Sequence, residues 1–253
     1  MKSFGRFLFS LYLWTMVVLV TGFVSSLVML SFPLALFDRD RRFAHKLGTV
    51  WGSSLARLNP FWRIRLVGRD RIRKGQSYVL VANHASLSDI ICLFTLHHEF
   101  KWLAKKCLFG VPFLGWSMSL MGHIPLERDQ HGSIKKSYRE SVEWLRRNIC
   151  VLIFPEGTRS RTGEMGRFKS GAFRLALESQ RPILPIVLAG TQNVISKGKA
   201  AFGGPSLAYL SILPPIETKG MTSADEEPLR KRVESLMQKE LKKRNRMIVR
   251  AIS

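Results

Sequence analysis

From Phe7 to Phe37 the chain runs for 31 positions without a charged residue, and the stretch is rich in Leu, Val, Phe and Trp. That is far more than a soluble core helix needs, and the apolar core of a signal peptide is only about 7–15 residues. One straight helix of this length would reach roughly 46 Å at 1.5 Å per residue, against a hydrocarbon layer about 30 Å thick. Two full crossings need about 40 residues and a turn, so they do not fit. Two arrangements stay open: a single tilted span with an interfacial extension, or a re-entrant helical pair bending at Gly22 or Pro33. Residues 1–45 are therefore expected to form a membrane anchor, and 46–253 a separate domain.

Charge orients that anchor. The run is followed by Asp38-Arg39-Asp40-Arg41-Arg42 and Lys46, which places the main domain on the cytoplasmic face of a plasma or inner membrane. Arg63, Arg65, Arg69 and Arg71 are expected to rest on anionic headgroups, at about 1 kcal/mol each. Over the whole chain the formal net charge is +22, which calls for an anionic partner: nucleic acid, an acidic lipid surface, or a phosphorylated or carrier-bound substrate. The basic residues are not interleaved with stacking aromatics, so nucleic acid is the poorest of these. Cys92, Cys107 and Cys150 form no C-x-x-C pair, and His97-His98 lacks a third ligand. Neither a disulfide framework nor a metal site is expected, and the domain belongs in a reducing compartment.

Beyond residue 60 short apolar runs alternate with helical patterns. Strands are expected at Ser77–Asn83, Lys101–Ala104, His123–Leu126, Cys150–Phe154, Ile183–Ala189 and Leu207–Leu213. Helices are expected at Leu87–Leu96, Pro112–Met121, Ile134–Asn148 behind a Ser133 cap, Gly171–Glu178, and a charged tail from Asp225 to Arg246. Pro185 marks its strand as an edge or a bulge. Alternation of this kind predicts an α/β domain, a mixed sheet flanked by helices, over residues 60–215.

Two strings about seventy residues apart sit where apolar runs break into turns: Asn83-His84-Ala85-Ser86-Leu87-Ser88-Asp89 and Phe154-Pro155-Glu156-Gly157-Thr158-Arg159-Ser160. A histidine ending a buried strand faces the edge where ligands gather in open α/β sheets. Its imidazole can take a proton from an alcohol near neutral pH, and a carboxylate on its other nitrogen fixes the tautomer. Asp89 is the candidate partner, although Ser86-x-x-Asp89 also reads as a capping box with a purely structural purpose. The second string supplies Gly157 for a tight turn and Arg159 as a planar fork for phosphate oxygens. Glu156 either braces that loop or orders Arg159, while Lys105 and Arg128 are further candidates for holding an anion. A base, its carboxylate and an anion-holding arginine form a kit for moving an acyl group onto a hydroxyl. Gly115-Trp116-Ser117-Met118-Ser119 lacks the last glycine of a nucleophile elbow, and no phosphate-binding glycine loop occurs.

Four blocks stand in order: NHASLSD, GHIPLER (Gly122–Arg128), FPEGTRS and ILPIVLAGT (Ile183–Thr191), with FKSGAF (Phe168–Phe173) after the third. In this order, over about residues 75–215, the chain resembles the 1-acylglycerol-3-phosphate acyltransferases and the wider glycerolipid acyltransferase group. Pro125 departs from the aromatic or aliphatic residue usual in the second block. The resemblance implies that His84 is the general base and Asp89 its partner. It also implies that Arg128, Glu156, Gly157 and Arg159 belong to the glycerophosphate pocket, with Lys105 adding charge. The implied reaction moves an acyl group from acyl-CoA or acyl carrier protein to the sn-2 hydroxyl of lysophosphatidate, with no cofactor. Other acceptors stay open: another lysophospholipid, a lyso-amino-acid lipid or glycerol 3-phosphate. A basic, membrane-tethered module without catalysis would explain the charge and the anchor but not the four ordered blocks.

Overall fold

The computed structural model describes residues 3–160, 162–195 and 201–252 of the chain. Seven strands among them form one sheet: β1 (Trp62–Val67), β2 (Val79–Ala82), β3 (Phe100–Lys105), β4 (Ile124–Leu126), β5 (Cys150–Ile153), β6 (Ile183–Ala189) and β7 (Ser206–Ile212). Their order across the sheet is β1-β7-β6-β2-β5-β3-β4. The five strands from β6 to β4 run parallel, whereas β7 pairs antiparallel with β6 and β1 follows β7. Parallel strands buried on both faces need apolar residues at nearly every position, and β2 (Val-Leu-Val-Ala) meets that demand throughout.

Helices α1 (Ser3–Leu30), α2 (Arg42–Leu58), α3 (Ser88–Phe94), α4 (Leu114–Leu120), α5 (His131–Arg146), α6 (Gly171–Ser179) and α7 (Glu226–Ile252) complete the fold. Strand alternation divides the core in two. Val79 and Val81 face a layer made by α5, α6 and α7, through Leu145, Phe173, Val233 and Met237. Leu80 and Ala82 face the opposite layer, where Leu93 and Phe94 of α3 pack with Leu13 of α1.

The expected α/β architecture is present, with four differences of detail. Pro185 lies in an interior strand, between β2 and β7. Its carbonyl accepts from Leu213 N at 2.9 Å, so its nitrogen also faces β7, just past the last paired position, Ile186↔Ile212. The missing donor therefore costs no bond to β2. Pro125 is tolerated for a simpler reason, since β4 is an edge strand. Helix α5 begins at His131, ahead of the expected Ser133 cap, whose hydroxyl instead accepts from Glu127 N at 2.9 Å. Helix α2 and strand β1 were not anticipated, and α2 runs across the boundary expected at residue 45. The Trp-Arg-Ile-Arg pattern read as headgroup contacts is the alternation of β1 at the sheet edge. Arg71 Nη1 donates to Ile212 O at 2.6 Å, and Arg65 Nη1 to the Tyr209 hydroxyl at 3.3 Å, so these two cations serve the fold.

The apolar run forms one unbroken helix through Gly22, and Pro33 sits in the short 3-10 turn Phe32–Leu36 that follows. Helix α1 lies along the domain. Near its start Ser10 Oγ accepts from Phe202 N at 3.0 Å, and near its end Ser25 Oγ donates to Ser117 Oγ at 3.2 Å. Helix α2 returns alongside it, with Trp51 Nε1 donating to Thr21 Oγ1 at 3.0 Å. By length and composition α1 is the one described helix able to cross a bilayer; residues 4–8 are exposed all round, and beyond them Leu11, Val18, Leu19 and Phe23 mark the side turned away from the domain.

Helix α2 is locked down by buried histidines. His45 meets Phe94 and Phe100 edge-on or tilted, and its Nε2 lies 3.1 Å from His98 O. Burial pushes the His45 imidazole down to about 3 and that of His123 well below its usual range. Both stay neutral in the folded chain, whereas in the unfolded chain they charge below about pH 6.5. Unfolding then takes up protons, so stability present above pH 6.5 is lost as the pH falls toward 3. In urea titrations at pH 6.5 and 4.5, His45→Phe should flatten this loss by up to about 1.4 kcal/mol per pH unit. Identical pH slopes for the two proteins would contradict the assignment.

Candidate active site

Because β2, β5, β3 and β4 are adjacent and parallel, the segments that follow them emerge along one edge of the sheet. His84 follows β2, Glu156 to Arg159 follow β5, Lys105 ends β3 and Arg128 follows β4. The two strings singled out in the sequence are thereby joined. Glu156 Oε1 accepts from His84 N at 2.7 Å, and Ser160 N donates to His84 O at 2.8 Å. The imidazole stacks on Phe154, with ring centroids 4.1 Å apart and planes 19° from parallel.

His84 Nδ1 lies 2.7 Å from Asp89 Oδ2, and the Asp89 side chain is wholly buried. The same oxygen accepts from Ala85 N at 2.7 Å and Ser86 N at 2.8 Å. Asp89 thus both starts α3 and orients the histidine. A carboxylate so placed keeps the proton on Nδ1 and leaves the Nε2 lone pair outward, where it has no partner among the described residues. The side chain of His84 is 15% exposed, enough to be reached from outside.

Two nearby hydroxyls are already committed to the scaffold. Ser86 Oγ donates to Ile195 O at 2.6 Å, and Ser88 Oγ lies 3.0 Å from Thr191 O. Burial raises the Cys92 thiol well above its usual range, so it is no nucleophile either. The strand itself is stitched in place by Asn83, whose amide donates to Leu188 O at 2.9 Å and accepts from Leu188 N at 2.8 Å.

Glu156 reaches His84 from the second string. Its second oxygen, Oε2, accepts from Gly166 N at 2.8 Å, so both oxygens are taken by backbone amides. In this position the side chain braces the loop. Burial raises its pKa, and the amides of Gly166 and His84 act against that rise. Gly157 has φ +75°, a conformation L side chains rarely adopt, and a Cβ there would stand 3.1 Å from Lys169 Cε. Lys169, an exposed cation that sequence reasoning passed over inside FKSGAF, therefore lies against this turn.

Of the expected anion-holding cations, Arg159 is the one whose chain neighbour touches His84, since Ser160 N donates to the His84 carbonyl. Lys105 and Arg128 are exposed on the same edge, two and three strands from β2, about 10 and 14 Å at the usual strand spacing.

A family model described as Acyltransferase matches residues 63–189. A 1-acyl-sn-glycerol-3-phosphate acyltransferase of Chlamydomonas reinhardtii is 37% identical over 188 residues, covering 74% of this chain and 56% of its own length. One from Limnanthes douglasii is 30% identical over 221 residues, covering 85% of this chain and 75% of its own. The chain spans about half the length of several of the curated relatives it matches. Among solved structures, the 1-acyl-sn-glycerophosphate acyltransferase PlsC of Thermotoga maritima superposes with a TM-score of 0.83 at 27% identity, covering 96% of this chain and 97% of that one. With half its length matched by the family model, the chain belongs to the acyltransferase family.

Proposed function

We propose that this protein transfers a fatty acyl group from an acyl thioester to the sn-2 hydroxyl of 1-acylglycerol 3-phosphate, giving phosphatidate. The observation that carries the reading is the 2.7 Å contact of His84 Nδ1 with Asp89, on a strand end held against the Glu156–Ser160 loop. His84 Nε2 takes the proton of the hydroxyl as its oxygen attacks the thioester carbonyl. Asp89 stabilises the imidazolium that forms. The tetrahedral oxyanion collapses, the carbon–sulfur bond breaks, and the imidazolium proton passes to the departing thiolate. No acyl-enzyme is needed, in keeping with the committed hydroxyls of Ser86 and Ser88. Arg159 holds the phosphate monoester, with Lys105, Arg128 and Lys169 adding positive field, so that binding energy aligns the hydroxyl.

The lysolipid and its product both live in bilayers, and α1 supplies a matching surface. Its outward apolar face, from Phe4 to Leu30, is available to hydrocarbon while its inner face stays on the domain. In this reading the α/β domain sits on the cytoplasmic side and receives its acyl donor from water.

His84→Ala and Asp89→Asn should each lower kcat by about 10²–10⁴ with lysophosphatidate and a long-chain acyl thioester. Activity of His84→Ala within tenfold of the wild type would remove the base from the scheme. Arg159→Lys, which keeps the charge but loses the fork, should mainly raise the KM for lysophosphatidate, and an unchanged KM would argue against phosphate contact. Glu156→Gln leaves one backbone donor facing an amide NH2, at about 1–3 kcal/mol. Its expected signature is a lower unfolding midpoint with reduced kcat. A change confined to KM would put the side chain against the phosphate instead.

A further inference from the structure

The acidic residues of α7 are all paired close to the helix. Glu226 meets Arg174 and Arg230, Glu227 meets Arg230 and Lys231, Glu234 meets Arg230, and Glu240 meets Arg244. Arg230 and Arg244 are themselves buried, Arg244 stacking 5.1 Å from the centre of the Tyr209 ring. Glu226, Arg230, Glu234, Glu240 and Arg244 thus lie beside the core, while Glu227 and Lys231 pair at the surface. A different set faces water: Arg232, Lys239, Lys242, Lys243, Arg246 and Arg250 are all exposed, and none forms an ion pair among the described residues. At 100° per residue the six fall within about 60° of one line, a stripe about 27 Å long at 1.5 Å per residue.

The stripe runs toward the active-site edge. Ile248 packs so tightly on Gly190 that a Cβ there would stand 2.8 Å from its Cδ1. Gly190 directly follows β6, the strand that Asn83 stitches to β2 one residue before His84. Helix α7 also belongs to the layer on the far side of the sheet from α1. When the apolar face of α1 meets lipid, the stripe faces the aqueous phase.

From this placement we propose that the exposed stripe of α7 is the docking surface for a soluble, acidic carrier protein that presents the acyl thioester. This deepens the acyltransferase reading and rests on it. Charge complementarity supplies recognition and speeds encounter, and the stripe ends at the edge where the thioester must arrive. A membrane surface fits less well, because it would have to meet the sheet face opposite the apolar helix.

The test uses the full chain with lysophosphatidate and one fatty acyl group delivered either on acyl carrier protein or on CoA. The triple variant Lys239→Glu, Lys243→Glu, Arg246→Glu should raise the KM for the carrier-borne donor at least tenfold. Its kcat should stay within about twofold, and its kinetics with acyl-CoA should stay unchanged. The neutral triple Lys239→Gln, Lys243→Gln, Arg246→Gln should show a smaller shift in the same direction. For the wild type, kcat/KM with the carrier should fall steeply with added NaCl, and the charge-reversed variant should lose that dependence. Equal loss with both donors, or no loss with either, overturns the proposal. So does binding to phosphatidylglycerol vesicles that the charge reversal abolishes, since that would put a membrane on the stripe. A wild type that uses CoA but not the carrier overturns the docking surface and leaves the acyltransferase reading standing. A wild type that acylates lysophosphatidate from neither donor removes both.

Discussion

The backbone of His84 is gripped on both sides by a single loop, and the proposed chemistry depends on that grip. Its N–H is held by the Glu156 carboxylate and its carbonyl by the Ser160 amide, while Phe154 lies flat against the ring. β2 and β5 are neighbours, so a loop of a few residues can reach across one strand spacing and close the contact. His84 thus cannot shift without moving the segment that carries Arg159. Geometry within fractions of an ångström is what positional catalysis requires, and rigid strand ends provide it better than a free loop would.

Acidic residues are scarce, 18 against 40 Lys and Arg, and those near the site or on α7 act mainly as braces. Asp89 takes three donors on one oxygen, Glu156 joins two backbone amides, and Asp38 accepts from Phe43 N at the start of α2. Asp40 binds Arg42 and Arg147 and so fastens the linker after α1 to the domain. With these acids committed to the scaffold, exposed Lys and Arg remain at the surface, Lys105, Arg128 and Lys169 near the carboxyl edge and six more on α7.

Much of the fold was legible because each parallel strand is a short apolar run closed by a turn, and the runs at Ser77–Asn83, Cys150–Phe154 and Ile183–Ala189 carry that pattern openly. β1 escaped because its alternating arginines look like a basic patch, and only the pairing with β7 shows them as the outward side of an edge strand. Helix α2 escaped because the long apolar run drew attention to its own end, whereas α2 is held by tertiary contacts of His45 and Trp51. Pro185 misled in the other direction: a proline disfavours an interior strand only where its missing donor is needed, and here it points past the end of the β7 ladder.

The chain alone put Asp89 within reach of His84, five residues on across a helix start, and the structure closes the contact at 2.7 Å. The apolar character of the first helix and the excess of positive charge were likewise written in composition. The tertiary structure decided what local reading could not: that Glu156 bonds two backbone amides, that Lys169 flanks Gly157, that α1 packs on the domain, and that α7 turns six of its cations away from it while burying Arg230 and Arg244. These depend on which strands become neighbours and which layer each helix joins. Both follow from burying apolar area across the whole sheet, a quantity no short window of residues contains.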